Sequence, residues 1–167
     1  AGCATSSAAT DIVASGPRDA TVIDARNKRR AATLTQKPWG DMSFQTNTLL
    51  RGFTIRGGNA SADAFRPDLG GGALGGTLVD CTVSGNAASF GGGVAYANLF
   101  GCDLVKNRAV RNGGGAAHSR LVDCRVDGNQ AAWDGGGLEF CAAERCVVAG
   151  NTAMRDGGGA HFGSLTS

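Results

Sequence analysis

Two pairs of side chains that could do acid–base or metal chemistry stand at the same interval along the chain. Glu139 precedes His161 by 22 residues, and Asp134 precedes Asp156 by 22 residues. A carboxylate beside an imidazole can assist proton transfer, and paired carboxylates can bind Ca²⁺. We expect Glu139 and His161 to form an exposed pair on an outer face instead, because no third catalytic group accompanies them. We expect no cofactor, and Asp134 and Asp156 are the candidate ligands if Ca²⁺ does bind.

Four of the six cysteines keep nearly the same interval, and they could bind a metal, form disulfides or pack as small apolar groups. They are Cys81, Cys102, Cys124 and Cys146. No Cys-x-x-Cys pair occurs, so a zinc site is not expected. Neighbouring thiols in a stacked repeat would point the same way, which hinders bridging even with Cα atoms about 4.8 Å apart. We predict four buried, reduced thiols, and whether Cys3 and Cys141 are bridged or exposed stays open.

All of these side chains belong to a repeat of about 22 residues. Its other markers are five glycine triplets and four asparagines: Gly70, Gly91, Gly113, Gly135 and Gly157, with Asn86, Asn107, Asn129 and Asn151. Apolar and polar residues alternate around each cysteine, as Cys102 and Leu104 do around Asp103, which is typical of a short β-strand. Segments this short between glycine triplets cannot form ordinary helices. The pattern predicts an all-β fold in which each repeat is one coil of a parallel β-helix.

Equivalent residues of successive coils would lie directly above one another, so each column should be chemically uniform. One column is apolar throughout and suits the core: Val83, Leu104, Val126 and Val148. The asparagine column suits a buried turn, in which side-chain amides bond the backbone and the next asparagine. The alternation after each glycine triplet places His118 on the same face as the apolar Ala116, in a column with Tyr96, Phe140 and Phe162. We therefore expect a packed, structural histidine.

Composition narrows the classes of partner. The chain has 167 residues, including 28 glycines, and its formal net charge is +2. This small charge argues against a nucleic-acid partner, and the longest basic cluster, Lys28-Arg29-Arg30, is expected to be a solvated loop. No run of about 18 apolar residues occurs, so no transmembrane segment is expected. Ala1-Gly2-Cys3 matches the end of a bacterial lipoprotein cleavage box, which leaves a lipid anchor at Cys3 as an open alternative.

The regular coils are expected to occupy residues 48–167, after N-terminal coils and an irregular loop in residues 1–47. An insertion at residues 60–69 interrupts the first clear coil and carries the candidate ligand-binding residues Asp63, Arg66 and Asp68. Loops that leave a regular scaffold are where solenoids place binding functions. No polar cap follows the last coil, so further coils, a cap or another chain are expected at the C-terminal end.

Two units of the repeat carry a family resemblance. Val83-x-x-Asn86 is followed by Gly92-Gly93-Val94, and Leu104-x-x-Asn107 is followed by Gly114-Gly115-Ala116. These units resemble the repeats of bacterial right-handed parallel β-helix proteins, which share the pectate-lyase superfold. They are also similar to the Phe-x-x-Asn and Gly-Gly-Ala-Ile units of polymorphic outer-membrane autotransporter passengers, with Val or Leu in place of Phe. The resemblance implies a right-handed solenoid in a bacterial protein that is secreted or displayed at the cell surface.

The resemblance suggests two functions. Polysaccharide lyases of this superfold hold Ca²⁺ with clustered carboxylates and remove a proton with a basic residue. Asp103, Arg125 and Asp127 could serve here, but their small or apolar neighbours favour a surface ion pair. The leading hypothesis is a non-catalytic extracellular or cell-surface segment with a structural, adhesive or ligand-presenting role, whose partner is carbohydrate or another protein. The alternative is a fragment of a polysaccharide lyase or glycoside hydrolase whose groove lies wholly or partly outside these residues.

Overall fold

The computed structural model describes residues 10–17, 20–34, 48–60 and 69–167, and within these ranges the chain is all-β. Parallel strands stack at a spacing of about 22 residues and form a β-solenoid of about four turns, without a helix in the described ranges. The fold class and the coil length predicted from the repeat are confirmed. The boundary predicted after residue 47 falls at the end of residues 35–47, which lie outside the described residues. It therefore stays a prediction.

Four sheets run along the solenoid, and each regular coil contributes one strand to each sheet. The first sheet contains β1 (Thr10–Val13), β4 (Thr48–Arg51), β7 (Thr77–Val79), β11 (Asn98–Phe100), β15 (Arg120–Val122), β19 (Ala142–Glu144) and β23 (Ser164–Thr166). The second sheet contains β2 (Val22–Asp24), β5 (Thr54–Arg56), β8 (Thr82–Ser84), β12 (Asp103–Val105), β16 (Arg125–Asp127) and β20 (Val147–Ala149). The third sheet contains β9 (Ala87–Ala88), β13 (Arg108–Ala109), β17 (Gln130–Ala131) and β21 (Thr152–Ala153). The fourth sheet contains β3 (Ala32–Thr33), β6 (Ala73–Leu74), β10 (Val94–Ala95), β14 (Ala116–Ala117), β18 (Leu138–Glu139) and β22 (Ala160–His161).

The core consists of columns in which each residue pairs in register with its equivalent one coil away. Leu78, Leu99 and Leu121 follow one another along the first sheet, and all three are fully buried. The second sheet contributes the apolar column that the repeat predicts: Val83, Leu104, Val126 and Val148. Complete burial of a leucine or valine side chain contributes about 1.5–3 kcal/mol, and all of these except the half-buried Val148 are fully buried. The uniform columns therefore supply most of the apolar burial that keeps the coils stacked.

The glycine triplets form the corner between the third and fourth sheets. Gly91 has a φ of +62°, a conformation that other residues adopt at a cost. At Gly92 a Cβ would collide with the backbone carbonyl of Arg108 in the next coil. The corner therefore needs glycine both for its backbone conformation and for the close approach of neighbouring coils.

The corner segments before these triplets fold across the outer face of the fourth sheet. Phe90 packs there against Leu74 and Ala95, which are buried, and Leu69 completes this second apolar cluster. Ala117, one coil above Ala95, is also fully buried. The fourth sheet is thus covered on both faces, so an alternation of buried and exposed side chains does not hold along its strands.

Candidate functional site

The four asparagines form a ladder in the turn between the second and third sheets. Asn107 shows the pattern: its Nδ2 donates to the Val83 carbonyl at 2.9 Å and to Asn129 Oδ1 at 3.0 Å. The Asn107 backbone N–H donates to the same Oδ1 at 2.9 Å. Asn86, Asn107 and Asn129 are almost completely buried, and Asn151 is half-buried. The amides satisfy backbone groups that a sharp interior turn would otherwise leave without partners.

The cysteines Cys81, Cys102, Cys124 and Cys146 form a second ladder in the turn between the first and second sheets. The Cys102 backbone N–H donates to Cys124 Sγ at 3.4 Å, and the Cys124 thiol donates to the Val122 carbonyl at 3.2 Å. A hydrogen bond from the Cys102 side chain lowers the pKa of Cys81 to about 7. Sharing its proton with its neighbours, Cys124 first, raises the pKa of Cys102. The described ranges contain no group of three His, Cys, Asp or Glu side chains that could hold a metal ion.

Cys141 lies outside this ladder and is also a free, buried thiol. Burial raises the pKa of Cys141 to about 12. Its sulfur donates to the Glu139 carbonyl at 3.3 Å, so it packs as a small apolar group with one satisfied donor. The other cysteine that the sequence leaves open, Cys3, lies outside the described residues.

We expect all five described cysteines to be reduced, with Cys146 the first to react in the folded protein. The prediction that Cys146 is buried is wrong, because it is half-buried, whereas the other four thiols are buried. A thiol must be reached before it can be modified. Alkylation followed by peptide mass spectrometry should show Cys146 modified first, and all five modified after unfolding without reductant. A disulfide between neighbouring coils, detected in the unfolded and unreduced protein, would contradict this expectation.

The patch of Asp103, Arg125 and Asp127 lies on the outer face of the second sheet. Asp103 pairs in register with Arg125, and Asp127 lies on the same strand as Arg125. The guanidinium of Arg125 forms a salt bridge with Asp127. Val147 and Ala149 continue the same face one coil later. The arginine that could act as a base is therefore paired with a carboxylate, beside apolar neighbours.

The two aspartates proposed as Ca²⁺ ligands differ in burial, and one of them is already hydrogen-bonded to the chain. Asp134 is buried, and its Oδ1 accepts a hydrogen bond from the Asp156 backbone N–H at 3.1 Å. The same Oδ1 lies 3.8 Å from Arg155 Nε. Asp156 is exposed. The Asp134 carboxylate is therefore engaged with groups of the chain itself.

The expectation that Glu139 and His161 form an exposed pair is wrong, because Glu139 is only 2% exposed. Its Oε2 lies 3.0 Å from His161 Nδ1, and its Oε1 accepts a hydrogen bond from Asn112 Nδ2 at 3.2 Å. Asn112 belongs to the corner segment that covers the fourth sheet, and this cover removes the carboxylate from solvent. The pair is a buried carboxylate that orients a half-buried imidazole, an arrangement that can support proton transfer.

A ladder of stacked rings occupies the end of the fourth-sheet strands: Tyr96, His118, Phe140 and Phe162. Successive ring centroids are 4.9, 5.2 and 5.2 Å apart. All four residues have positive φ, which turns their side chains away from the core that Val94 and Leu138 enter. Phe162 is 65% exposed. The alternation wrongly grouped these rings with the inward residues, although His118 is packed between two rings, and burial lowers its pKa.

A second column on the outside alternates aromatic rings with guanidinium groups, and we call it the arginine–aromatic rail: Phe90, Arg111, Trp133 and Arg155. Arg111 Cζ lies over the Phe90 ring at 5.4 Å from its centroid and over the Trp133 ring at 5.2 Å. Arg155, in the following coil, also has its Cζ over the Trp133 ring, 6.0 Å from the centroid. Contacts of this kind are worth about 0.5–1 kcal/mol each at exposed sites. The rail holds long, flexible side chains in a fixed order on the surface.

A shallow cleft beside the second sheet is lined in part by Asp24, Arg26, Arg56 and Ser84. Arg56 Nε lies 3.1 Å from Asp24 Oδ2, so the two charges offset each other. The backbone N–H of Arg26 and the Arg56 guanidinium hold the pKa of Asp24 below its ordinary value. The charges that line the cleft therefore include an ion pair within the chain itself.

Two expectations concern the loops of the first coils. The candidate ligand-binding residues Asp63, Arg66 and Asp68 lie outside the described residues. Arg30, expected in a solvated loop, is buried: its Nε donates to the carbonyls of Leu69 and Gly70, each at 2.9 Å. The sequence missed this role because the carbonyls that bind Arg30 come from the following coil.

No family model, curated protein or solved structure matches the chain. Within the described ranges, no helix is long and apolar enough to cross a membrane. The chain is therefore classified by its fold alone, as a parallel β-solenoid.

Proposed function

We propose that the chain is a non-catalytic segment of a bacterial extracellular or cell-surface protein, whose solenoid presents a binding surface on its outside. The observation that carries the proposal is the pairing of charges. The groups that could act in catalysis contact one another in separate pairs on different sheets. An active groove would instead gather a base, a charge-neutralising group and room for substrate on one face.

The first and second sheets both illustrate this pairing. At the corner between them, Arg145 Nε lies 2.8 Å from Asp123 Oδ1, and the same guanidinium contacts Glu144. The hydrogen bond from Arg145 holds the pKa of Asp123 below its ordinary value. Arg125 and Asp127 pair in the same way on the second sheet. Such exposed pairs contribute about 0–1 kcal/mol each to stability, as is usual for charges on a solvated surface.

The secreted and bacterial parts of the proposal come from the likeness of the repeat to bacterial β-helix proteins and autotransporter passengers. A stack of interior ladders with an elongated outer surface suits adhesion or the presentation of a ligand site. An anchor through a lipidated Cys3 is compatible with this role. Carbohydrate and protein are both suitable partners for such a surface.

The second candidate is a polysaccharide lyase or glycoside hydrolase fragment, and the patch of Asp103, Arg125 and Asp127 favours it. Its three charged side chains lie on one sheet face, where a base and carboxylates would be needed. Pairing with Asp127 opposes this role, because a guanidinium held by a carboxylate is a poor base.

Incubation with pectate, alginate and glycosaminoglycan polymers, with and without Ca²⁺, should give no rise in absorbance from unsaturated products and no new reducing ends. The expected result follows from the ion pairs Arg125–Asp127 and Arg56–Asp24, in which each guanidinium is held by a carboxylate of the chain. Turnover that disappears in Arg125→Ala and survives in Arg120→Ala, an exposed arginine of the first sheet, would establish the enzyme instead.

A further inference from the structure

We propose that the arginine–aromatic rail, together with the exposed side chains beside it, is a docking surface for an acidic segment of a partner protein. The proposal rests on the proposed function, because it names the place and the partner class of a surface-presenting solenoid. It is carried by three features of the rail: unpaired charge, exposed apolar anchors and guanidinium groups held in order.

The charge of the rail differs from that of the other outer faces. In the described coils, every arginine of the first and second sheets, and Arg145 at the corner between them, lies within salt-bridge distance of a carboxylate. The arginines of the sheets are Arg51, Arg56, Arg120 and Arg125. Arg108 and Arg111, beside and within the rail, have no carboxylate partner in the described part of the chain. Arg155 lies 3.8 Å from the buried Asp134. Arg155 is therefore paired as well, and the charge open to a carboxylate from outside is that of Arg111 within the rail and of Arg108 beside it.

Exposed apolar side chains lie on the same corner. Trp133 is 43% exposed, Val110 is 51% exposed and Met154 is 84% exposed. Tryptophan, methionine and arginine are the residue types enriched at protein interfaces, and tryptophan and arginine dominate their energetics. The corner combines apolar anchors with charged donors, as a protein-binding surface does.

The geometry of Arg111 favours a carboxylate ligand. Arg111 Cζ lies over both the Phe90 and the Trp133 ring, and these ring contacts hold the guanidinium without using its hydrogen-bond donors. A guanidinium presents its N–H donors at its edge, in a fork that matches a carboxylate. Because the guanidinium is held in place before binding, less side-chain entropy is lost when a carboxylate binds to it.

The same geometry disfavours two other polyanions. Sugars and nucleic-acid bases stack on free aromatic faces, but the guanidinium groups of Arg111 and Arg155 already lie over the Trp133 ring. A nucleic acid also needs a broad basic surface, and the chain carries a net charge of only +2. A protein segment that offers glutamate or aspartate beside apolar side chains fits both the charge and the anchors.

The test uses the full chain carrying Trp39→Phe, so that Trp133 is the one tryptophan left to report binding. A synthetic peptide rich in glutamate and leucine is titrated at low salt, beside the same peptide with glutamine in place of glutamate. We expect a saturable change in Trp133 fluorescence with the glutamate peptide, and affinity at least about tenfold weaker for the glutamine peptide.

The matched control for Arg111→Gln is Arg120→Gln, because Arg120 also lies over a ring, that of Phe100, but is paired with Glu144. We expect Arg111→Gln to weaken peptide binding about tenfold and Arg120→Gln to leave it unchanged. Arg111→Lys keeps the charge and loses the fork, so binding should fall to an intermediate value. Unchanged circular dichroism would show that each variant folds.

Each contrary result overturns the docking proposal. These are no saturable binding of the glutamate peptide, equal binding of the glutamine peptide, or equal loss in Arg111→Gln and Arg120→Gln. Tighter, Arg111-dependent binding of a uronate polymer or single-stranded DNA would replace the protein partner by another polyanion. None of these outcomes produces turnover of a polysaccharide, so failure of this proposal is distinct from failure of the non-catalytic function.

Discussion

Replacing Asn129 with alanine is expected to lower the free energy of unfolding by about 4 kcal/mol. The Asn129 Oδ1 accepts hydrogen bonds from the backbone N–H and the Nδ2 of Asn107, and its own Nδ2 donates to the Leu104 carbonyl and to Asn151. The substitution removes these four bonds and takes the side-chain partner away from two buried backbone groups, the Asn107 N–H and the Leu104 carbonyl. A buried polar group without a partner costs about 1–3 kcal/mol.

The measurement is thermal and urea-induced unfolding of the variant beside the parent chain. A loss of this size should lower the melting temperature by roughly 10 °C in a domain of this length. Gln130→Ala is the control, because Gln130 is adjacent to Asn129 but exposed, and its replacement should change stability by less than about 0.5 kcal/mol. Equal stability of Asn129→Ala and Gln130→Ala would mean that the ladder contributes nothing to the fold.

The sequence predicts the interior of the solenoid well because its interior is repetitive. Residues one coil apart share an environment, so a column such as Leu78, Leu99 and Leu121 is visible as a recurring residue type. The asparagines and cysteines recur for the same reason, since each member contacts the equivalent residue above or below it. In a repeat protein, the residues that contact one another in the core can therefore be recognised in the sequence as recurring residue types.

The outer surface is harder to predict because it depends on how corners fold over sheets. The alternation of a strand places Glu139 outside, but the segment carrying Asn112 covers it and supplies a hydrogen bond. The alternation likewise misplaces Phe140, because a positive φ at the strand end reverses the direction of the side chain. Neither effect leaves a local signal that a pattern of apolar and polar residues could reveal.

The candidate sites differ from one another in how their charges are compensated. Arg125 and Glu139 each lie beside a partner from the chain, whereas Arg111 lies between two rings. The spacing brings Glu139 to His161, but it does not show that Glu139 is buried or that Arg125 pairs with Asp127 on its own strand. Spacing therefore locates the columns, and the side-chain contacts decide which of them can bind anything further.

Gly137→Ala is expected to destabilise the solenoid by about 3 kcal/mol or more. A Cβ at Gly137 would lie 2.5 Å from the Gly159 carbonyl oxygen and 2.9 Å from Asn151 Nδ2, so neighbouring coils would have to separate at the corner. Overpacking of this kind typically costs about 1–3 kcal/mol, and here it also disturbs the asparagine ladder. Chemical denaturation monitored by circular dichroism would measure the loss.

Gly159→Ala is the matched control, since Gly159 occupies the same position one coil later. A Cβ there would meet the Val148 Cγ1 at 3.5 Å, an ordinary contact, and the residue has no positive φ. Its replacement should therefore be neutral or slightly stabilising, because alanine restricts the unfolded chain more than glycine does. If both variants lost the same stability, the cost would come from glycine's own conformational freedom and not from the close stacking of coils. A loss confined to Gly137→Ala would show that the distance between coils is what requires the glycine triplets.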